Sequence, residues 1–180
     1  MPGGTGNLEG LGNIDEEPLF VKPGYWNRNY TLNDPNDDFW VEGDYHLQSI
    51  GWRWNAAYHR WDFDEVTSRC IDAGNPGFTL REELLSVPLD PGNIWGENLR
   101  INMGAYGGTG EASMPPHGWA LRADLTNDGI VNLEDFAHQA HDWLKTDAKL
   151  PGDLNRDKTI NILDLALLMQ EWLREIPGRN

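Results

Sequence analysis

The chain has 180 residues, of which 39% are apolar and 24% are charged, a balance that is typical of a globular protein. The 20 glycines and 11 prolines favour many turns and exclude an all-helical bundle. Because the formal net charge is −15, nucleic acid and anionic membrane surfaces would repel the chain, and cations are the expected partners. No stretch is long and apolar enough to insert into a membrane, and one cysteine excludes an intrachain disulfide framework.

The first part of the chain predicts short strands. Its apolar runs are closed by Gly, Pro, Asn or Asp, which is the pattern of strands joined by turns. Four such runs lie at residues 12–21, 43–49, 70–74 and 101–108. Strands this short bury their side chains when neighbouring strands lie above and below them, as in a solenoid.

These runs resemble the closing coils of right-handed parallel β-helix proteins of the pectate-lyase-like class. The resemblance covers residues 10–113 and implies a partial parallel β-helix that lacks coils at its N-terminal end. An uncovered first coil would expose a strand edge and an apolar end. We therefore expect the chain to be the C-terminal part of a longer exported protein, extracellular or on the cell surface, with its signal peptide upstream.

Between two of the runs, an aromatic segment predicts a β-hairpin. Trp52 and Trp54 lie on one arm, Trp61 lies on the other, and residues 55–59 connect them. The three indole rings either line a glycan-binding surface or stabilise the hairpin as cross-strand pairs, and both interpretations stay open. No group of acids or bases in this part of the sequence identifies catalytic residues, so these are unknown.

The composition changes at residues 114–120, which we interpret as a linker between residues 1–113 and a second domain at 121–176. In the second domain, residues 124–144 are repeated at 153–173, an offset of 29 residues. Polar identities cluster at the start of the repeat and apolar ones towards its end. The duplication predicts a loop followed by a helix, present twice.

Each predicted loop has the spacing of a calcium site. Calcium takes six to eight oxygen ligands, which a twelve-residue loop supplies from positions 1, 3, 5, 7, 9 and 12. In the first loop these positions hold Asp124, Thr126, Asp128, Ile130 through its carbonyl, Asn132 and Asp135. In the second loop they hold Asp153, Asn155, Asp157, Thr159 through its carbonyl, Asn161 and Asp164. The sequence therefore predicts two Ca²⁺ sites, and magnesium fits less well because it demands stricter geometry.

The two loops differ at position 6. Gly129 allows the sharp turn of the first loop without steric cost. Lys158 replaces it in the second loop, where a left-handed backbone would cost about 1 kcal/mol or more. We therefore predict that the second site is the weaker one. Because clustered carboxylates repel one another, metal binding is expected to drive the folding of both loops.

Each loop leads into a helix with one apolar stripe. The first stripe consists of Leu133, Phe136, Ala137, Ala140, Trp143 and Leu144. The second consists of Ile162, Leu165, Ala166, Met169, Trp172 and Leu173. We predict that the two stripes are buried against each other around a pseudo-twofold axis.

A duplicated loop of this type that runs straight into a helix, with no helix before it, resembles the type I dockerin family over residues 121–175. Dockerins are calcium-binding modules that bind cohesin domains and attach secreted polysaccharide-degrading enzymes to scaffoldin proteins or cell surfaces. The resemblance implies that the loop residues above bind calcium and that a cohesin-like domain is the partner. At the family's usual contact positions this chain has Leu133-Glu134 and Ile162-Leu163.

The second helix carries leucines beyond its stripe. Leu163 and Leu167 lie one turn apart, where the first repeat has Glu134 and His138. They form either an apolar partner-binding patch on the second repeat alone or a packing surface for the preceding domain or for the tail Ile176-Pro177.

The leading interpretation is a calcium-dependent docking module that attaches a secreted polysaccharide-degrading protein to a cohesin-type partner or to a cell surface. One alternative is a fragment of a polysaccharide lyase or glycoside hydrolase that retains activity in the β part. Another is a cell-surface structural protein that ends in a calcium-stabilised cap.

Overall fold

The computed structural model describes residues 11–177 except 32, 91, 93 and 148, so residues 1–10 of the predicted first domain lie outside the described residues. The strands are β1 (Phe20–Lys22), β2 (Tyr25–Asn27), β3 (Phe39–Val41), β4 (Asp44–Leu47), β5 (Arg53–Asn55) and β6 (Arg60–Asp62). The helices are α1 (Leu133–His141) and α2 (Ile162–Gln170). Neither of them, nor any other helix in the described ranges, has the length and apolarity needed to cross a membrane.

The strands form three two-stranded antiparallel sheets, which pair β1 with β4, β2 with β3, and β5 with β6. The β2–β3 hairpin therefore continues from the ends of β1 and β4. A Cβ atom on Gly43 would collide with the carbonyl oxygen of Lys22, so this corner requires glycine.

The predicted parallel β-helix is wrong. Within the described residues every strand pair is antiparallel, no solenoid is present, and the chain is not a β-helix domain followed by a dockerin domain. The runs 70–74 and 101–108 do lie side by side. Their direction is antiparallel, however, because the Met103 N–H donates to the Cys70 carbonyl at 2.9 Å and the Gly74 N–H donates to the Ile101 carbonyl at 2.8 Å.

Buried polar side chains are the physical reason for this difference. Asp72 is 4% exposed and has a left-handed backbone, with φ 59°. Its Oδ1 accepts the N–H groups of Leu99 and Arg100, both at 2.8 Å, and its own N–H donates to Asn102 Oδ1 at 2.7 Å. Since side chains satisfy the backbone groups that a parallel coil would pair with the next strand, the chain turns here instead of stacking.

The predicted hairpin at residues 52–62 is confirmed. β5 and β6 pair in the register Arg53–Asp62, Trp54–Trp61 and Asn55–Arg60. The Asn55 side chain supports the connection, because its Oδ1 accepts the N–H of Ala57 at 3.2 Å.

The main apolar cluster lies in the second half of the chain. Its buried members are Leu121, Ala123, Leu125, Val131, Leu154 and Leu168, and Phe136, Leu167, Trp172 and Ile176 pack against them. Each loop therefore lies directly on this core. Met114, in the predicted linker, is 1% exposed and its N–H donates to the Trp52 carbonyl at 2.7 Å, so this part of the chain packs against the first half.

The predicted burial of the two helical stripes against each other is wrong. The stripe residues Leu133, Leu144, Ile162 and Leu173 are exposed by 69%, 68%, 64% and 66%. The buried helical side chains are instead Asp135, Gln139, Asp164 and Leu168. The cause is the capping of each helix, because Asp135 and Asp164 fold back onto their loops and turn that side of the helix inward.

Candidate functional site

The two predicted loops have the same backbone conformation. Positions 4 and 6 of the first loop, Asn127 and Gly129, are left-handed with φ 57° and 87°. The equivalent residues of the second loop, Arg156 and Lys158, have φ 61° and 76°. Lys158 therefore adopts the turn that glycine makes in the first loop, at a cost of about 1 kcal/mol or more.

The first aspartate of each loop closes the same turn. Asp124 accepts the N–H of Asp128 at 3.1 Å and of Gly129 at 2.8 Å. Asp153 accepts the equivalent N–H groups of Asp157 at 3.0 Å and of Lys158 at 2.7 Å. These bonds orient both carboxylates towards the inside of their loops.

The last aspartate of the first loop joins the loop to α1. Asp135 is fully buried, and its Oδ2 accepts the Asn132 N–H at 2.8 Å, which completes a capping box. Its Oδ1 accepts the N–H groups of Leu125 at 2.8 Å and Thr126 at 3.1 Å. One carboxylate therefore fixes both the start of the loop and the start of the helix.

Asp164 plays the equivalent role in the second loop with fewer bonds. It accepts the Asn161 N–H at 2.9 Å, which completes the capping box of α2, and the Asn155 N–H at 3.0 Å. The second loop is therefore held by two hydrogen bonds to this carboxylate, whereas Asp135 accepts four, including one from Thr126 Oγ1 at 3.2 Å.

Three predicted ligand oxygens converge in the first loop. Thr126 Oγ1 lies 3.4 Å from Asp124 Oδ1 and 3.2 Å from Asp135 Oδ1. Oxygens that share a calcium ion at 2.3–2.6 Å from its centre are expected about 3.4 Å apart. No three His, Cys, Asp or Glu side chains of the described residues form a metal-binding group. The converging set instead combines two carboxylates with a hydroxyl, which are hard oxygen donors suited to calcium.

The other predicted ligands lie along the same loops. Asp128 Oδ1 accepts the Ile130 N–H at 2.9 Å, and Asn132 Nδ2 donates to Asp128 Oδ2 at 3.5 Å. In the second loop, Asp157 Oδ1 accepts the Thr159 N–H at 2.9 Å, while Asn155 Nδ2 donates to Asp157 Oδ2 at 2.9 Å. Positions 5 and 7 therefore have the same local geometry in both repeats.

The electrostatics of the loops favour a cation. Burial raises the pKa of Asp124 to about 6; Arg100 opposes this shift, and the nearby carboxylates of Asp135 and Asp128 add to it. Burial also raises the pKa of Asp153. A buried carboxylate that is crowded by other carboxylates is stabilised when a positive ion takes up its charge.

A twofold exchange joins the two repeats. Ile130 forms a β-bridge with Glu175, in the segment after α2, and Thr159 forms a β-bridge with Thr146, in the segment after α1. The two bridges are equivalent, because Ile130 and Thr159 are 29 residues apart and so are Thr146 and Glu175. Each loop is therefore supported by the chain that leaves the other repeat's helix, as the predicted pseudo-twofold axis requires.

The exposed stripe residues form two related surfaces, which we call the paired apolar faces. The first face consists of Leu133, Ala137, Ala140 and Leu144, and the second of Ile162, Ala166, Met169 and Leu173. Each member of one face lies 29 residues from a member of the other. These faces point away from the apolar core on which the loops lie.

The two predicted partner-binding leucines have different surroundings. Leu163 is 58% exposed, next to Ile162 on the second face. Leu167 is half-buried and packs against the core cluster. Leu163 is therefore open to solvent, whereas Leu167 has a packing role.

The three tryptophans of the predicted glycan surface fall into two groups. Trp54 and Trp61 face each other across the hairpin, with ring centroids 5.7 Å apart at 67°. Trp52 packs edge-on against Phe63 and Trp95. All three of the predicted rings are half-buried, and Trp52 has different ring neighbours from Trp54 and Trp61.

Sequence reasoning missed a more exposed aromatic pair. Trp26 and Trp40 are 63% and 41% exposed and face each other across β2 and β3, with ring centroids 5.7 Å apart. Two short aromatic runs, each closed by Gly, Asn or Asp, are the signal that could have identified this second hairpin.

Sequence reasoning also missed a buried arginine at the base of the first loop. Arg100 is 2% exposed, and its Nη1 donates to the carbonyls of Leu121 at 3.2 Å and Asp124 at 2.5 Å. No local pattern in the sequence identifies it, because its partners are more than 20 residues away. It ties the first half of the chain to the start of the first loop.

No family model matches the chain, and neither the curated proteins nor the solved structures include a significant match.

Proposed function

We propose that residues 121–176 are a calcium-dependent docking module that binds a protein partner through the paired apolar faces. The observation that carries this proposal is that loop and face are duplicated together at one offset. Both loops share left-handed turns at positions 4 and 6, and each leads through a capping box into a helix with an exposed apolar stripe. The chain's resemblance to type I dockerins supports the same function.

The residues that would hold the two calcium ions are those at the six ligand positions of each loop. When bound, the ion supplies positive charge to buried carboxylates. The chain's own residues supply the geometry. Asp124 and Asp153 close the turns, while Asp135 and Asp164 connect each loop to its helix cap. Ordering of a loop is therefore passed directly to the helix that carries the apolar face.

We propose a cohesin-like protein domain as the occupant of these faces. Large apolar side chains such as Leu133 and Ile162 are exposed side by side with the smaller Ala137 and Ala166. Exposed apolar patches of this kind mark protein interaction sites, because their burial against a partner is favourable. The net charge of −15 argues against nucleic acid or an anionic membrane as the occupant.

We further propose an extracellular or cell-surface location for the module and a polysaccharide-degrading protein as its carrier. Both proposals rest on the dockerin resemblance, in which the module attaches secreted enzymes to scaffoldins. The contacts among the described residues support the module, and the carrier is proposed from the dockerin resemblance alone.

A second candidate function is a calcium-stabilised structural element. The observation that favours it is that the loops form hydrogen bonds with the first half of the chain, such as Arg156 Nη2 with the Leu99 carbonyl at 2.8 Å. Under this function calcium binding stabilises the chain but no partner depends on it.

A capture experiment tests the docking function. The full chain, immobilised with calcium or with chelator, is incubated with a panel of purified cohesin domains. We expect capture that requires calcium and is lost in the double variant Leu133→Asp, Ile162→Asp. The control is Leu89→Asp, which changes a residue that is 71% exposed outside the module. If no cohesin binds, or if the Leu89 variant loses binding equally, the paired apolar faces are not the docking site.

A further inference from the structure

We infer that three side chains outside the predicted ligand set position the calcium loops by joining them to the first half of the chain. These are Asn127, Arg156 and Arg100. They join the loops to residues 72–76 and 99–100 of the first half, which we call the anchor segments. This inference rests on the proposed calcium binding and deepens it, because it names residues that set the affinity of each loop and couple it to the rest of the chain.

The first contact comes from position 4 of the first loop. Asn127 has a left-handed backbone, with φ 57°, which directs its side chain out of the loop. Its Nδ2 donates to the carbonyl of Ala73 at 2.7 Å, in the first anchor segment, and to the carbonyl of Gly12 at 2.5 Å. The loop turn and the first half therefore hold each other in place.

The second contact comes from the same position of the second loop. Arg156 also has a left-handed backbone, with φ 61°. Its Nε donates to the Pro76 carbonyl at 3.0 Å and its Nη2 to the Leu99 carbonyl at 2.8 Å. Position 4 is not a predicted ligand position in either loop, yet in both repeats its side chain reaches the anchor segments.

The third contact runs in the opposite direction. Arg100 belongs to an anchor segment and donates to the Asp124 carbonyl, at the first ligand position of the first loop. Its other nitrogens hold the anchor segments together, because Nε donates to the Gly74 carbonyl at 2.8 Å and Nη2 to the Ala73 carbonyl at 3.1 Å. A planar guanidinium can bond several carbonyls at once, which an ammonium group cannot do in the same geometry.

These contacts have a consequence for metal affinity. A non-glycine residue in a left-handed conformation costs about 1 kcal/mol or more. Hydrogen bonds that hold position 4 in this conformation reduce the ordering that calcium itself must impose. By thermodynamic linkage, the free energy by which the anchor segments strengthen calcium binding equals the free energy by which bound calcium stabilises the contacts of the anchor segments.

Calcium titration of the chelator-stripped full chain tests the positioning role. We expect the Arg156→Ala variant to bind calcium about tenfold more weakly at one of two sites, since two charge-assisted hydrogen bonds are lost. Removal of a positive charge near a cation site would by itself strengthen binding. Lys149→Ala is the matched control, because it removes the same charge from an exposed side chain close to the second loop. It is expected to bind calcium at least as tightly as the wild-type chain.

The conservative variant separates geometry from charge. Arg156→Lys keeps the charge but cannot donate to both Pro76 and Leu99, so we expect it to show most of the loss seen in Arg156→Ala. Affinity equal to that of the wild-type chain in Arg156→Ala would overturn the inference. If the wild-type chain itself binds no calcium, the proposed function fails first and this inference fails with it.

Hydrogen exchange on the wild-type chain tests the coupling without any variant. The Leu99 and Arg100 amides of the anchor segments donate to Asp72 Oδ1, and the Gly74 amide donates to the carbonyl of Ile101, next to the second segment. We expect calcium to slow their exchange along with that of the α1 and α2 amides. Slower exchange in the helices with no change in the anchor segments would overturn the coupling while leaving calcium binding intact.

Discussion

The Leu173 N–H donates to the Val131 carbonyl at 2.8 Å, and 29 residues earlier the Leu144 N–H donates to the Ile160 carbonyl at 2.9 Å. The chain that leaves each helix thus completes the loop of the other repeat. Neither loop is complete within its own repeat, so a change in one repeat is expected to loosen the other.

Removal of the capping carboxylates should affect the two repeats unequally. Asp135→Ala removes the acceptor of the Thr126 and Asn132 N–H groups and leaves the Leu125 N–H only its 3.0 Å bond to the Ala123 carbonyl, so we predict a loss of about 2–4 kcal/mol in the free energy of unfolding. Asp164→Ala removes fewer bonds and should cost less. Urea unfolding in the presence of chelator measures both values. An equal or larger loss in Asp164→Ala would contradict this ranking.

The second loop contains a strained position that glycine should relieve. Lys158 has φ 76°, and Lys158→Gly is expected to stabilise the metal-free chain by up to about 1 kcal/mol. The control is Gly129→Ala, which places a Cβ atom at φ 87° and should destabilise the chain. Thermal unfolding in chelator decides the sign of each change. A lower melting temperature for Lys158→Gly would show that the lysine side chain stabilises the folded chain by more than its left-handed backbone destabilises it.

The buried carboxyl of Asp72 predicts a pH dependence of stability. Burial raises its pKa to about 7 from an ordinary value of 3.8, although Arg100 and its hydrogen bonds oppose the shift. Between these pH values the folded chain holds a proton that the unfolded chain releases, so this group's contribution to stability falls as pH rises from about 4 to 7. Above pH 7 the carboxyl is ionised in both states and the loss is complete.

Asp72→Asn separates this effect from other titrations. We predict that the melting temperature in chelator falls further between pH 5 and pH 8 for the wild-type chain than for Asp72→Asn, by at least about 2 °C. Parallel pH profiles for the two proteins would show that the Asp72 carboxyl titrates normally.

The two leucines of the second helix should respond differently to a charge. Leu163→Asp changes a residue that is 58% exposed, so the free energy of unfolding should change by less than about 0.5 kcal/mol. Leu167→Asp places a carboxylate against the apolar core and should cost about 2 kcal/mol or more. Chemical unfolding of both variants compares them directly. Similar losses would place Leu163 in the core as well.

The loops could be predicted from the sequence because their determinants are local. Asp, Asn and Gly at fixed spacing specify turns and helix caps within twelve residues, and the structure has left-handed turns and capping boxes at these positions. The buried helical face could not be predicted in the same way. Gln139 and Asp135 are buried although they are polar, because the caps and the twofold exchange set the orientation of each helix.

The first half could not be predicted because its determinants are distant. Glu83 Oε1 accepts the Asn102 N–H at 2.8 Å and the Gly108 N–H at 2.7 Å, although these residues are 19 and 25 positions away in the chain. Short apolar runs such as 101–108 therefore look like strands in the sequence, but buried polar side chains pair with their backbone. The hairpin at residues 52–62 has a local signal, and it is confirmed.

Isothermal titration of calcium into the chelator-stripped full chain is the most direct test of the two proposed calcium sites. We predict two ions per chain, with the weaker site lost in Asp153→Asn and the tighter one in Asp124→Asn. A gain in helical circular dichroism should accompany binding. If no heat is detected and the helical signal does not change, residues 124–135 and 153–164 are structural turns and not calcium sites.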